Sequence, residues 1–431
     1  MSRQKIVIIG GGSLGFTPYL VKDFILSGFG DGEVVLVDLN AEVLELMQRF
    51  TRLIAQHLES PLRITSTTDR IQALPDADFV INTVGVAGQE LLQAEIHLCQ
   101  QYGIWHTTGD TVGPAGLSRA LRTIPVLLDI CRDMERLCPR AWLINYTNPM
   151  SSCCLAANLY SAVRVVGLCH GTRGTVQRLA EALEVEAQRL FVRAAGINHL
   201  VWFQDCLLDG EEASPLLLEG PAAPKVKESQ PLSYRLLELY GLYPSPGDRH
   251  VAEFFPHFLR EGTGQFEKYG FQLRDYAAIF ARKAQVRQGI LDRLEGRVPL
   301  EDLSQFSGEA ASELMAGLVG QRPGVFDANI LNRGCIPGLP DECVVEVPAV
   351  VDPAGLHGER VRPLPPAITA LLHQHALVQW LTVEAAVRCC RRTARQALLA
   401  DPLAPDPDRA EQLLDGLLAL NGEKLPPGWR V

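Results

Sequence analysis

The sequence predicts an α/β protein with a doubly wound, Rossmann-like and mostly parallel sheet, followed by a second α+β domain that is largely helical. Three observations lead to this prediction. Short β-branched runs alternate with helical patterns through the first third of the chain, which is typical of a parallel sheet covered by helices. A glycine-rich turn follows the first run. Helical patterns dominate the later part of the 431 residues, a length that fits two domains.

Six apolar runs are predicted to be strands, because they are short and rich in β-branched residues. They are Ile6–Ile9, Val34–Val37, Phe79–Val84, Trp142–Asn145, Val163–Leu168 and Phe191–Ile197. Thr17 and Pro18 form a good cap and first turn for the helix after the first strand. Leu117–Leu137 has a long helical pattern, which Pro125 should kink or split because proline lacks the N–H that an inner turn needs.

The rhythm of the sequence changes after the sixth run. Helical patterns cover Ser233–Tyr240, Tyr276–Arg293 and Leu364–Leu399, with Pro- and Gly-rich stretches between them. We therefore predict a Rossmann-like dinucleotide-binding domain over residues 1–168 and a second domain over residues 169–431.

The composition excludes several classes of partner. With 40 basic and 50 acidic side chains the net charge is −10, which argues against a nucleic-acid groove. No run approaches the roughly 18 apolar residues that a membrane span requires, and the N-terminus lacks a secretory signal pattern. The odd number of cysteines, 11, favours free thiols and hence the reducing cytoplasm. A small molecule is the expected partner.

The glycine-rich turn, Gly10–Gly15, fits the G-x-G-x-x-G pattern between a strand and a helix. Glycines there let the backbone turn tightly and approach a pyrophosphate at the helix N-terminus. Asp38 ends the second strand, where a carboxylate accepts from ribose hydroxyls and favours NAD over NADP. The candidate NAD contacts, which include residues that leave two further strands, are Gly10, Gly12, Ser13, Leu14, Gly15, Asp38, Thr83, Val84 and Asn145.

Ionisable residues follow several of these elements. Cys169 and His199 each come after a strand, and a thiolate with an imidazole can bind a divalent metal, although such residues are also common in cores. Asp110 lies in a Gly- and Pro-rich loop, as a candidate acid or a turn residue. Asp248-Arg249-His250 and Glu253 gather charges before an apolar run, as a candidate acid–base group or as a charged helix start capped by Asp248.

Taken together, these motifs make the chain resemble the NAD- and metal-dependent glycosidases of glycoside hydrolase family 4. The similar segments are Ile6–Gly15, Ala77–Gly85, Gly109–Pro125, Asn145–Met150, Gly167–Gly171, Gly196–Leu200, Gly247–Pro256, Asn332–Pro340 and Val345–Pro348. The resemblance implies an arrangement like that of lactate and malate dehydrogenases, in which the second domain binds substrate and metal. It also implies a homodimer or homotetramer.

The resemblance further implies the chemistry. NAD takes hydride from C3 of the bound sugar, a side-chain base removes the C2 proton that the new ketone acidifies, and the aglycone leaves C1. Water then adds, and the stored hydride returns to C3. A divalent metal, usually manganese, would bind the O2 and O3 oxygens and act as a Lewis acid.

Four residues match family positions at the metal and the sugar. Cys169 and His199 match the metal ligands. Asn148 matches an asparagine that contacts sugar hydroxyls, and Asp110 matches an essential acidic position near the metal or the substrate.

Proton transfer is assigned by the same resemblance. Asp248 falls where some members carry the C2 base, with His250 or Glu253 as alternatives. His170 falls where some members carry a general acid. His250 and Arg249 are also expected to contact the substrate. Arg249 would pair with an anion at C6 unless it forms a structural salt bridge.

The residues after the metal cysteine indicate the substrate class. Cys169-His170-Gly171 resembles the branch that acts on unphosphorylated α-glycosides, and Gly247–Phe254 is most similar to α-galacturonidases, although those have Glu at the position of Gly171. An α-uronide is therefore favoured, ahead of neutral α-glucosides and α-galactosides. The alternatives are a glycosidase of 6-phospho- or 6-sulfo-sugars, an NAD-dependent 2-hydroxy-acid dehydrogenase and a non-catalytic NAD-binding sensor.

Overall fold

Six parallel strands form one half of a large sheet in the computed structural model, which describes residues 3–429. They are β1 (Lys5–Ile9), β2 (Glu33–Val37), β3 (Arg63–Thr67), β4 (Phe79–Asn82), β5 (Trp142–Asn145) and β6 (Arg164–Gly167). Their order is β3-β2-β1-β4-β5-β6, which is the order of dinucleotide-binding folds and confirms the predicted doubly wound sheet. The order reverses between β1 and β4, where such sheets bind ligands beyond the carboxyl ends of their strands.

Helices cover both faces of this parallel sheet. They are α1 (Thr17–Phe24), α2 (Ala41–His57), α3 (Arg70–Ala73), α4 (Gly88–Gln101), α5 (Gly113–Leu137), α6 (Met150–Tyr160) and α7 (Gly171–Leu183). Ile6 and Ile8 of β1 pack in one apolar cluster with α1 and α2. Val7 and Ile9 point the other way, into a cluster with α5 and α6. Because side chains alternate along a strand, one apolar run supplies both layers.

The sheet continues past β6 as antiparallel strands of the second half of the chain. These are β7 (Leu190–Ile197), β8 (Leu200–Leu208), β9 (Glu211–Glu212), β10 (Tyr243–Ser245), β11 (Gly324–Leu331), β12 (Val344–Asp352) and β13 (Gly355–Gly358). From β6 the order is β11-β12-β7-β8-β10, with β13 beside β12 and β9 beside β8. The sheet is therefore continuous across the expected domain boundary, and the division at residue 168 stays a prediction.

The helices of the second half surround these antiparallel strands. They are α8 (Ser214–Leu218), α9 (Ala223–Ser229), α10 (Pro231–Tyr240), α11 (Asp248–Val251), α12 (Pro256–Leu259), α13 (Gln265–Lys268), α14 (Tyr276–Leu294), α15 (Ala311–Leu318), α16 (Pro366–Arg388), α17 (Arg391–Ala400) and α18 (Pro407–Asn421). The predicted α+β second domain, largely helical, is confirmed. None of the helices in the described chain combines the length and apolarity needed to cross a membrane.

Three local predictions differ from the structure. The edge strand β3 was not predicted, because only one of its five residues is buried and its sequence is polar. Helix α5 runs through Pro125 without a split and begins four residues before the predicted start, at Gly113. Thr17 is the first residue of α1 rather than its cap, and its hydroxyl donates to the Gly11 carbonyl. The cysteines are free, as expected, and eight are buried.

Candidate active site

The glycine-rich turn lies between β1 and α1 and packs against the end of β2. A Cβ on Gly11 would lie 2.9 Å from Val37 N, so that position accepts no side chain, and a Cβ on Gly12 would lie 2.7 Å from Asp38 Oδ2 and would displace that carboxylate. The Gly12 amide donates to Asp38 Oδ2 at 3.0 Å. A Cβ on Gly15 would meet nothing within 4 Å, so the helix side of the turn is open. These residues fit a dinucleotide, because backbone and carboxylate are held at the strand ends beside open space.

Three predicted cofactor contacts use their side chains within the protein. Thr83 Oγ1 donates to the Gly10 carbonyl at 3.1 Å, and Ser13 Oγ accepts from the Phe16 amide at 3.1 Å. The fully buried Asn145 donates to the Thr147 carbonyl at 3.0 Å and accepts from Asn82. This arrangement argues against direct contact between the Asn145 side chain and NAD. Leu14 and Val84 are half-buried beside the turn.

One carboxylate and two imidazoles meet near the carboxyl edge of the sheet. Asp110 comes from the loop before α5, His199 from the two-residue turn between β7 and β8, and His250 from α11. Their ligand atoms lie within 4.8 Å of one another, and we call them the carboxylate–imidazole cluster. The rings of His199 and His250 are 4.1 Å apart between centroids. His199 has a φ of 67°, a strained conformation for a non-glycine residue that is typical of functional sites.

Thr111 fixes the tautomer of His199. Its hydroxyl donates to Asp110 Oδ1 at 2.7 Å and lies 2.7 Å from His199 Nδ1. A hydroxyl has one proton, so His199 Nδ1 must be the donor of the second bond. The Nε2 lone pair of His199 is then free for a metal, in the arrangement by which a neighbouring oxygen orients many histidine ligands.

The charges in the cluster suit metal binding. Burial raises the pKa of Asp110, but the charges of His250, His199 and Arg119 and the bond from Thr111 outweigh it and hold that pKa well below its usual range. Burial, together with the charge of His250, lowers the pKa of His199 against the pull of Asp110. An ionised carboxylate and a neutral imidazole are the forms that bind a cation.

Unpartnered polar atoms surround the cluster. Asn148 Nδ2 donates to Asp110 Oδ2 at 3.2 Å, while Asn148 Oδ1 is buried without a hydrogen-bond partner in the part of the chain that is described. His250 Nδ1 is likewise buried and has no hydrogen-bond partner among the described residues. Because a buried polar atom without a partner is costly, both atoms indicate that a polar ligand completes the site. The donor set, one carboxylate and two imidazoles, fits a divalent metal such as manganese or iron.

Cys169 lies outside the carboxylate–imidazole cluster. Its Sγ accepts from the Gly171 amide at 3.4 Å, and its side chain packs against the apolar cluster that Val7 and Ile9 form with α5 and α6. Burial and the charge of Glu346 raise the pKa of the thiol, although the Gly171 amide and Asn198 oppose them. The structure therefore assembles His199 with Asp110 and His250, and the pairing of His199 with Cys169 at one metal stays a prediction.

Glu346, on β12, lies in one of the segments that carry the family resemblance, but no role was predicted for it from the sequence. Its Oε2 accepts from Asn198 and from Asn329, each at 3.0 Å, and Asn198 precedes His199 in the turn. Burial raises the pKa of Glu346 to about 7 although both amides oppose it. Glu346 thus anchors the turn that presents His199. A lone carboxylate within an apolar strand was the signal that could have identified it.

Asp248 occupies a structural position. Its carboxylate accepts from the Leu232 amide at 2.7 Å and from the Ser233 amide at 2.8 Å, and also from the Ser233 hydroxyl. Both oxygens are thus committed to the N-terminus of α10, where a negative charge is stabilising. This geometry argues against the predicted role of Asp248 as the C2 base.

Glu253, another candidate for that base, supports the loop that carries Asp110. Its Oε1 accepts from His106 Nδ1 at 3.0 Å and from the amides of Thr108 and Gly109 at 2.9 and 2.8 Å. Glu253 and His106 are both buried. Of the three alternatives for the base, only His250 lies in the carboxylate–imidazole cluster.

His170 and Arg249 lie near the cluster with free polar groups. The His170 side chain is 68% exposed, and its Nδ1 lies 3.7 Å from Glu309 Oε1. Arg249 Nη2 donates to the Thr107 carbonyl at 2.7 Å. Among residues 3–429 Arg249 forms no ion pair with a carboxylate, so the structural salt bridge considered for it is absent.

The sheet order, the glycine turn and the neighbouring cluster define an enzyme of the dinucleotide-binding class. Models of the family 4 glycosyl hydrolases match residues 5–185, and models of their C-terminal domain match residues 194–404. The chain belongs to this family and is a glycoside hydrolase. That membership favours neither the dehydrogenase nor the sensor alternative.

Named relatives differ in their substrates. An α-galactosidase of Bacillus subtilis is 30% identical to this chain, and the match covers 98% of this chain and 99% of the α-galactosidase. An α-galacturonidase of Thermoanaerobacter italicus is 30% identical over 92% of this chain and 91% of its own. The structure of the 6-phospho-β-glucosidase of Thermotoga maritima with manganese, NAD⁺ and glucose-6-phosphate superposes with a TM-score of 0.81. It is 22% identical and covers 98% of this chain and 99% of its own.

Proposed function

We propose that this glycoside hydrolase cleaves unphosphorylated α-glycosides with NAD and a divalent metal, and that α-uronides such as galacturonides and glucuronides are its favoured substrates. The observation that carries the proposal is the carboxylate–imidazole cluster at the carboxyl edge of a dinucleotide-type sheet. Bound NAD supplies a reversible hydride acceptor for C3 of the sugar, and the metal, manganese by family resemblance, supplies a Lewis acid for the O2 and O3 oxygens.

The metal and the sugar hydroxyls are assigned to three residues. His199 offers Nε2 and Asp110 offers a carboxylate oxygen to the metal, with Thr111 holding both in place. Asn148 is tied to Asp110 through Nδ2, which leaves Oδ1 to accept from a sugar hydroxyl. Cys169 contributes through its thiolate only if metal binding displaces its proton, since burial favours the neutral thiol.

Two histidines are assigned to proton transfer. His250 lies in the carboxylate–imidazole cluster with a buried, unpartnered Nδ1, and we assign it as the base that removes the C2 proton, in place of Asp248. His170 has an exposed side chain directly after Cys169, and we assign it to protonate the departing aglycone oxygen. Glu309, close to His170, can orient that ring.

The substrate assignment rests on Arg249 and on the α-galacturonidase relatives. A C6 carboxylate would give Arg249 the anion that it lacks among its own contacts. Neutral α-galactosides and α-glucosides are the next choice, and 6-phospho- or 6-sulfo-sugars remain the alternative. We further propose that the enzyme works in the cytoplasm as a homodimer or homotetramer, on a small-molecule glycoside and without nucleic-acid or membrane partners.

A panel of p-nitrophenyl α-glycosides tests the proposal. The galacturonide, the glucuronide, the galactoside, the glucoside and a 6-phosphorylated glycoside are each incubated with enzyme, NAD, manganese and a thiol reductant. Steady nitrophenol release without accumulation of NADH is expected, fastest with a uronide. Full-speed cleavage by protein stripped of NAD would refute the redox mechanism. Faster cleavage of the 6-phosphate than of any unphosphorylated glycoside would refute the substrate assignment.

A further inference from the structure

We infer that Arg274 and Tyr276 complete, with Arg249, a subsite for an oxyanion at C6 of the sugar. This inference rests on the proposed glycosidase function and names the group that the same site would recognise. Neither Arg274 nor Tyr276 was singled out by the sequence analysis.

The two guanidinium groups are anchored side by side on that loop. Arg249 Nη2 donates to the Thr107 carbonyl at 2.7 Å, and Arg274 Nη1 donates to the Thr108 carbonyl at 3.0 Å. Thr108 is two residues before Asp110, a separation of at most about 7 Å along an extended chain. Both guanidinium groups are therefore anchored on the loop that supplies the carboxylate of the carboxylate–imidazole cluster, within three residues of Asp110.

No ion pair neutralises these two cations within the described residues. The acid whose charge acts on Arg249, Glu253, is committed to His106 and two backbone amides. Burial and the like charge of Arg274 lower the pKa of Arg249, and only the weaker influence of Glu253 and Tyr276 opposes them. Two cations held together beside a substrate site form a receptor for an anion, and guanidinium groups suit oxyanions in particular.

Tyr276 supplies an independent indication that a ligand is missing. Its hydroxyl is buried without a hydrogen-bond partner in the described chain, although its ring lies 5.8 Å from the Arg274 guanidinium carbon. Burial raises the pKa of Tyr276 to about 12, so the hydroxyl stays protonated and can donate. A C6 oxyanion between the two guanidinium groups would give this hydroxyl an acceptor.

Selective loss of activity towards an anionic substrate tests the inference. Arg274→Met removes the charge at similar length, and Tyr276→Phe removes only the hydroxyl. We expect Arg274→Met to lower kcat/KM for the p-nitrophenyl α-galacturonide about 10- to 100-fold while the α-galactoside changes less than about 2-fold. Tyr276→Phe should act in the same direction to a smaller extent. Arg282→Met, on the exposed side of α14, is the matched control and should leave kcat/KM for both substrates unchanged.

Binding measurements keep this test separate from the proposed function. Galacturonate, galactose and galactose 6-phosphate are titrated calorimetrically into protein loaded with NAD and manganese. Preferential loss of galacturonate binding in Arg274→Met supports a carboxylate subsite, and preferential loss of the phosphate supports a phosphate subsite. The inference would be overturned, even if glycosides are cleaved, by either of two results. One is that the native protein binds galactose and both anions with equal affinity, and the other is that Arg274→Met loses affinity for all three equally. Selective anion binding without any cleavage would instead contradict the proposed function.

Discussion

Thr111 Oγ1 lies 2.7 Å from Nδ1 of His199, and the same hydroxyl donates to Asp110. One hydroxyl group therefore orients two residues from separate parts of the chain, because it donates to Asp110 and accepts from His199. If this bond selects the tautomer of His199, its removal should weaken metal binding without removing any ligand.

We expect Thr111→Val to lower manganese affinity about 10- to 100-fold, because loss of an oxygen that orients a histidine ligand typically has that effect. Titration of manganese, followed by calorimetry or by the signal of the free ion in electron paramagnetic resonance, measures the affinity. Thr263→Val, on an exposed loop, is the control. An unchanged affinity in Thr111→Val would show that Thr111 has no part in orienting His199.

One variant distinguishes the role assigned to His250, that of the C2 base, from a role as a third metal ligand. If His250 is the base, His250→Gln should retain manganese affinity and lose about 100- to 10,000-fold in the exchange of the C2 hydrogen with solvent. Nuclear magnetic resonance of the substrate in deuterated buffer measures this exchange. A fall in manganese affinity with a parallel fall in exchange would instead make His250 a ligand and return the question of the base to Asp248.

Asp248 should matter for stability more than for proton transfer. Asp248→Asn replaces one acceptor oxygen with an amide that faces the Leu232 N–H, so the variant loses a hydrogen bond to a charged group at the start of α10. We expect a decrease of about 1–3 kcal/mol in the free energy of unfolding. Urea unfolding measures it, and solvent exchange at C2 is followed in parallel. Full stability with abolished exchange would restore Asp248 as the base.

The parallel half of the sheet was largely predictable because its strands are short apolar runs in a fixed alternation with helices, whereas β8 to β13 of the antiparallel half were not predicted. β5 matches its predicted bounds, and β1 and β7 differ by one residue at their starts. β3 escaped prediction because an edge strand buries little, so its sequence carries no apolar run. Of the kink or split predicted at Pro125, the split does not occur, since the packing of α5 outweighs the local cost of a proline.

The residues of the site were more predictable than their roles. Asp110, His199 and His250 were each chosen from the sequence, but their convergence depends on contacts between three separate segments. The role of Asp248 depends on Ser233, 15 residues earlier, and that of Glu253 on amides 144 and 145 residues earlier. No local pattern reports such contacts, because hydrogen bonds at this separation are set by tertiary packing.

The buried pair of His106 and Glu253 should make stability depend on pH in the alkaline range. Burial lowers the pKa of His106, but the charge of Glu253, with the hydrogen bonds of the ring to that carboxylate and to Cys99, raises it to about 10, against an ordinary value of 6.5. A pKa raised by folding stabilises the protein fully below the unfolded value, and the contribution is lost as the pH rises towards the folded value. The free energy of unfolding should therefore fall between about pH 6.5 and pH 10.

This dependence is measured by urea unfolding at several pH values, with His106→Gln as the test variant and His257→Gln, outside the pair, as the control. His106→Gln cannot ionise, so its free energy of unfolding should be lower at pH 6 and should decline less with alkalinity than that of the native protein. Because Glu253 also holds the Thr108 and Gly109 amides, the native protein should lose manganese affinity in the same alkaline range. Parallel pH profiles for the native protein and His106→Gln would show that His106 is uncharged in the folded state.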